Sequence, residues 1–176
     1  MAGPPPILRD GLLDGLTVLA APRTPVTDAC AALGARVEAL EADLLDEAAT
    51  VAAVEGSEAA MLVVDAAPLF GSGGEVALRA ALDGAWSAVH AHFDPERTEK
   101  IVLVAPPPGA GEHAGALRAG LENAARTLSI EWARHQIRIV AILPGDATDP
   151  ADLAQLVAYL ASPAGDYFSG CALTLA

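Results

Sequence analysis

Aromatic and basic residues are scarce in this chain. Only 4% of its 176 residues are Phe, Trp or Tyr, and Lys100 is its sole lysine. Few aromatics leave a core to be built from Ala, Val, Leu and Ile, and a hydrophobic content of 53% excludes a disordered chain. Few cations against 23 Asp and Glu give a formal charge of −13. Such a chain repels phosphate backbones and anionic lipid, so neither nucleic acid nor a membrane is an expected partner. The only two cysteines, Cys30 and Cys171, lie far apart with no metal-ligand spacing. They fit small buried thiols in a reducing, cytoplasmic setting. No apolar run has the length of a membrane span, and none before Leu16 suits a secretory leader. Nucleophile–base pairs and metal clusters are also missing from the pattern, and no metal is expected.

What is present is an alternation of short apolar runs with helical patterns. Residues 16–20, 60–64, 101–104 and 137–143 are largely apolar, as strands buried on both faces are, and 36–40 and 171–175 supply two more. Between them lie helical patterns. Residues 24–33 have Thr24 as a cap, Pro25 at the first helical position and Gly34 as a stop. Residues 46–54, 75–92, 115–134 and 152–161 follow, the second of these opened by Gly71-Ser-Gly-Gly74. A turn is expected at 94–97, and three prolines at 106–108 predict an extended exit from the preceding strand. This order predicts one α/β domain over residues 1–176, with a parallel sheet between helical layers and a Pro-rich lead at 1–10.

Residues 118–145 read RAGLENAARTLSIEWARHQIRIVAILPG, a helix running through an Arg-His turn into a buried strand. This stretch resembles the sixth helix and sixth strand of the short-chain dehydrogenase/reductase (SDR) family. ALDGAWSAV at 81–89 looks like part of that family's fifth helix, and LVAYLASPAGDYFSGCALTL at 156–175 like its last helix and strand. GARVEALEADLLDE at 34–47 is similar to the strand whose aspartate contacts adenine, which would be Asp43. The resemblance implies a Rossmann-like three-layer αβα sandwich, shortened from the family's seven strands to six, with the missing piece between Ala20 and Arg36. It also implies oxidoreductase ancestry and an NAD(P) site.

The residues that would perform that chemistry are gone. The family's catalytic Asn, Ser, Tyr and Lys fall on Ala81, Ala105 (or Pro106), Ala114 and Arg118. A lysine one helical turn from a tyrosine lowers the phenol pKa, and with no phenol at position 114 there is no acid to tune. The only tyrosines, Tyr159 and Tyr167, stand near the C-terminus. The family's Gly-rich turn after strand one is replaced by Ala21-Pro22-Arg23-Thr24-Pro25, and Asn-Asn-Ala-Gly by Val64-Asp65-Ala66-Ala67. Pyrophosphate needs close backbone approach and free N–H groups, and the two prolines remove two of those donors. The substrate-lid segment shrinks to residues 146–151.

Weaker candidates remain. Gly109, Gly111 and Ala114 match G-x-G-x-x-A, but Glu112 would face the phosphates and Asp146 lies too far on for the ribose, so a shortened loop is expected. His113 is a candidate general acid or base, weighed against a solvent-facing histidine at a helix start. Asp43 and Asp46 read as turn and cap residues, His90 and His92 as lying on different helix faces, and Arg118, Glu122 and Arg126 as a charged helix face. Apolar Leu78, Leu82, Val89, Leu117, Leu121 and Leu128 crowd the helices bearing Trp86 and Trp132, more than one sheet is expected to cover. The favoured expectation is a catalytically inactive SDR-like subunit without cofactor. It would assemble through those helices with an active SDR subunit, or otherwise with itself. The alternative is a divergent oxidoreductase or small-ligand binder using the crevice near Asp65, His113 and Gly145, and only that reading calls for NAD(P).

Overall fold

Six parallel strands form the sheet in the computed structural model, which describes residues 8–96 and 99–176. Most of the Pro-rich lead and Arg97 of the expected 94–97 turn therefore lie outside the described residues. The strands are β1 (Thr17–Ala21), β2 (Arg36–Ala39), β3 (Met61–Asp65), β4 (Lys100–Val104), β5 (Arg138–Leu143) and β6 (Cys171–Thr174). Their order across the sheet is β2-β1-β3-β4-β5-β6, with every pairing parallel. The chain winds outward from β1 to β2 and then returns to β3 on the other side, so the direction switches between β1 and β3. The sheet has six strands, one short of the family's seven, and β1 reaches the edge strand β2 through a single helix.

Side chains alternate across the sheet with period two. Leu62, Val64, Ile101 and Leu103 enter one core layer, under α2 (Glu47–Val54), α3 (Ala66–Phe70), α4 (Glu75–His92) and α5 (Ala114–Glu131). Met61, Val63, Val102 and Val104 enter the opposite layer, under α1 (Pro25–Ala32) and α6 (Pro150–Ala161). Both faces are covered, which is why these strands are apolar throughout. At the lower edge the single lysine has a structural task. Lys100 Nζ donates to the carbonyls of Leu160, Ala161 and Ser162 and pairs with Asp166 at 2.6 Å, capping the C-terminus of α6.

Several local expectations change. Helix α3 was not foreseen; Asp65 caps it by accepting from Ala67 N, and one turn containing Pro68 carries too little periodicity to signal itself. The extended exit at 106–109 is interrupted by a 3-10 turn at Pro108–Ala110, because proline's fixed φ suits that turn as well as an extended chain. Cys30 is buried as expected, but Cys171 is only half-buried, since β6 is an edge strand with one neighbour.

The largest correction concerns the apolar helices. Val89, Leu117, Leu121 and Leu128 are all at most 2% exposed within one chain. Both helices lie on the same sheet face, and the stripe thought to be in excess is what the sheet covers. The surplus that remains is smaller: Val76 at 85%, Trp86 at 54% and Ile130 at 78% exposure, with Leu82 half-buried.

Candidate functional site

The three alanines expected at the family's catalytic positions lie in the core. Ala81, Ala105 and Ala114 are each no more than 1% exposed and belong to one packed layer with Phe70 and Leu117. Position 114 sits at the first turn of α5, yet it faces that layer and not the solvent. Small side chains here are what let α4 and α5 settle onto the strand ends.

Arg118 does not join the charged face expected from its spacing with Glu122 and Arg126. Those two pair with each other at 2.7 Å. Arg118 instead turns inward, and its Nη1 donates to the carbonyls of Pro106 (2.7 Å) and Pro144 (2.6 Å). These carbonyls follow β4 and β5, whose exits would otherwise lack a partner because the proline-rich turns break the ladder. Burial pulls the guanidinium pKa down, and the Asp146 carboxylate pulls it up. A guanidinium suits the role because it presents several fixed donors. Each charge-assisted hydrogen bond of this kind contributes about 1.5–3 kcal/mol.

A second tie crosses the point where the chain direction switches. Thr24 Oγ1 donates to Asp65 Oδ2 at 2.8 Å, joining the end of β1 to the end of β3. Thr24 does occupy the cap position of α1, but its hydroxyl is spent on Asp65, and Thr27 Oγ1 accepts from Thr24 N. Asp65 is buried, and burial raises its carboxyl pKa despite the two hydrogen bonds that oppose the shift. A folded-state pKa above the unfolded value means that the native state binds the extra proton. Stability from this group is therefore present at acid pH and lost as pH rises through the folded pKa. Asp65→Asn keeps an acceptor for Ala67 N without the charge. It should melt above wild type at neutral pH and converge with it under acid conditions, and a lower melting temperature at pH 7 would show that the ionised carboxylate stabilises this tie.

The glycine loop is committed to the protein itself. Gly74 N donates to Glu112 O, and Gly73 bridges Glu112 in parallel fashion. A Cβ on Gly111 would stand 2.5 Å from Ser72 O, and one on Gly73 2.8 Å from Glu112 O. These glycines permit two turns of the chain to touch, so the close approach they allow is already used. Asp146, placed too far along to reach a ribose, folds back to accept from Gly109 N at 2.7 Å. At Gly145 a Cβ would meet the backbone of Leu175 and Ala176 at 2.9 Å.

No family model matches this sequence, and neither does any curated protein. Solved structures do match over nearly the whole fold. A short-chain dehydrogenase from Mycobacterium smegmatis aligns with a TM-score of 0.77 at 24% identity, covering 99% of this chain and 97% of that one. A citronellol catabolism dehydrogenase from Pseudomonas aeruginosa PAO1 aligns at 0.74 and 21% identity, covering 96% of each chain. A 3-oxoacyl-[acyl-carrier protein] reductase from Brucella melitensis, solved with bound NAD, aligns at 0.75 and 17%, covering 99% of this chain and 94% of that one. The fold is that of the short-chain dehydrogenase/reductases.

Within the SDR fold the turn after β1 is where a dinucleotide's pyrophosphate is expected, and the residues here do not fit it. Pro22 and Pro25 have no N–H, Thr24 N is taken by Thr27, and Thr27 N bonds back to Thr24 O. Arg23, the one cation nearby, pairs with Asp28 at 2.8 Å and reaches Val37 O. Of the other candidates, Asp43 accepts from Leu45 N and Asp46 caps α2 through Ala49 N, as turn and cap residues do. His113 lies exposed at the start of α5 with φ 70°, its Nε2 3.6 Å from Glu112 Oε1. His90 packs at a tilt against Trp86 while His92 is buried beside Glu99 at 3.8 Å, so the two do point apart. Burial pushes the Cys30 thiol up to about 11, which leaves it inert as a nucleophile at neutral pH. No group of His, Cys, Asp or Glu among the described residues could hold a metal ion.

Two of the concavities among the described residues lie against the sheet and helices that carry these side chains. One, of about 280 Å³, lies at the ends of β1 and β2 between Pro22, Leu40, Asp43, Leu69 and Gly84. The other is a groove of about 420 Å³ between α4 and α5, with Leu103 and Leu121 in its lining and Trp86 on its wall. The sequence pattern pointed to these two helices but misjudged which of their residues stay exposed. No described helix is long and apolar enough to cross a membrane.

Proposed function

We propose that this chain is a catalytically inactive, SDR-like subunit that serves as an assembly partner of an active SDR oxidoreductase, with a homodimer as the other form of the same reading. The observation that carries it is the internal use of the residues that stand where the family's chemistry is expected. Ala81, Ala105 and Ala114 fill the core, Arg118 ties two strand exits, and Thr24–Asp65 crosses the switch point. A fold kept intact while its chemistry is replaced by structural contacts is one whose surface is in use. The exposed Trp86 beside the α4–α5 groove supplies such a surface. Its unpaired thiols suit a reducing, cytoplasmic compartment.

A second reading keeps the SDR fold as a small-ligand binder or divergent oxidoreductase. The 280 Å³ pocket beside Asp43 favours it, because a mostly apolar cleft with one carboxylate is how small-molecule sites are commonly built. Two measurements separate the readings. Calorimetric titration with NAD(H) and NADP(H) should give no binding at cellular concentrations, and micromolar affinity for either would transfer the case to the second reading. Light scattering on the purified wild-type chain should show an oligomer, or a monomer that captures an SDR subunit from its native lysate. A stable monomer that captures none ends the assembly reading.

A further inference from the structure

The α4–α5 groove carries chemistry as well as shape. Its floor is apolar, with Leu103, Leu121 and Leu128 beneath the half-exposed indole of Trp86. Its rim holds two exposed carboxylates, Asp83 and Glu131, and no Lys or Arg is among the described residues that line it. The nearest cations on α5 and after it are engaged elsewhere: Arg126 pairs with Glu122 at 2.7 Å and Arg134 donates to the His135 ring at 2.9 Å. Arg79 lies one turn before Asp83 and outside the groove.

Aromatic rings extend the wall. Trp86 lies against His90 at a tilt of 34° with centroids 3.9 Å apart, His90 meets Trp132 edge-on at 5.3 Å, and Trp132 stacks on Phe93 at 4.3 Å. Three of the chain's seven aromatic side chains are thus gathered at one end of one helix pair. An indole face between two carboxylates favours a cation by both charge and quadrupole.

We infer that the occupant of this groove is a helix of a different protein, presenting an apolar ridge flanked by arginine or lysine. The inference rests on the assembly reading above and supplies the partner's chemistry. A second copy fits less well. A two-fold contact sets this patch against its own copy, so the rim carrying Asp83 and Glu131 would face an equally acidic rim, on two chains of charge −13 each. A basic partner turns the same carboxylates into attraction and hastens encounter.

The test uses three designed helical peptides: a leucine ridge flanked by arginines, the same ridge flanked by glutamates, and the arginine pattern with its leucines changed to serine. In calorimetric titration of the full chain, the Leu/Arg peptide should bind at least tenfold tighter than either other peptide. Asp83→Asn with Glu131→Gln should remove that advantage while leaving the chain strongly acidic, which separates the groove from general attraction of basic peptides. Both positions are exposed, so the fold should survive, and an unchanged thermal melt verifies it. Equal affinity for all three peptides, or a preference untouched by the double variant, overturns the inference. Sedimentation distinguishes the remaining failures. A wild-type homodimer split by Trp86→Ala would overturn the basic partner and leave the assembly reading standing, whereas a monomer indifferent to every peptide and every partner removes both.

Discussion

Leu121→Glu should leave the protein unable to fold, and not merely unable to associate. Leu121 is 2% exposed and packs in the layer between α5 and the sheet, beneath the floor of the groove. The substitution forfeits the burial of a leucine, worth roughly 2–5 kcal/mol with the cavity it leaves. It also puts a carboxylate among aliphatic side chains that offer it no donor, adding several kcal/mol more. Native domains are stable by only about 5–15 kcal/mol, so the two effects together consume most of the margin. Insoluble expression, or a circular dichroism melt without a cooperative transition, is the expected readout. Trp86→Ala supplies the contrast, because an indole that is 54% exposed can be removed with the core intact. A Leu121→Glu protein that melts cooperatively near the wild-type temperature would mean that α5 is less tightly seated than its burial indicates.

The same residue shows where the sequence was informative and where it stopped. The stripe Leu117, Leu121, Ala125 and Leu128 announces a helix with one buried face, and α5 has it. The stripe cannot say what buries it, because a sheet and a partner select the same residue types. That is why a surface was expected where a core exists. Alternation of apolar runs with helices was enough to foresee the parallel sheet and its six strands, since both faces of each strand carry that demand. The absence of a phenol at position 114 was equally visible, because alanine has none in any conformation. What could not be seen was which contacts the side chains around these positions make. Arg118 looks like one member of an i, i+4 ladder, and only the fold brings Pro106 O and Pro144 O, which are far apart in sequence, within its reach. Thr24 and Asp65 are separated by 41 positions, and neither is unusual in its own segment. Periodicity reports the solvent boundary along one element. It is silent about contacts between the loops that several elements leave at one end of a sheet.

Installing the SDR family's catalytic pair as Ala114→Tyr with Arg118→Lys should therefore damage the protein and confer no activity. Ala114 is 1% exposed, in a layer already filled by Phe70, Ala81, Ala105 and Leu117. A tyrosine ring there must displace its neighbours or the first turn of α5, and overpacking of this kind costs about 1–3 kcal/mol or more. At position 118 a lysine keeps the charge but replaces a planar fork with a single flexible ammonium, so it holds the Pro106 and Pro144 carbonyls less well. The two losses fall within one turn of α5 and act on the same strand exits, so they should exceed the sum of the single variants. The turn after β1 stays as it was, with its prolines, its occupied Thr24 N–H and its Thr24–Asp65 tie. The double variant should melt well below wild type, show no calorimetric signal with NADH or NADPH, and fail to oxidise either one in the presence of simple carbonyl compounds. A variant that keeps the wild-type melting temperature and binds a nicotinamide dinucleotide at micromolar concentration would show instead that the crevice is still built for one. The inactivity proposed here would then reduce to two side chains, and the divergent oxidoreductase would become the better account of the chain.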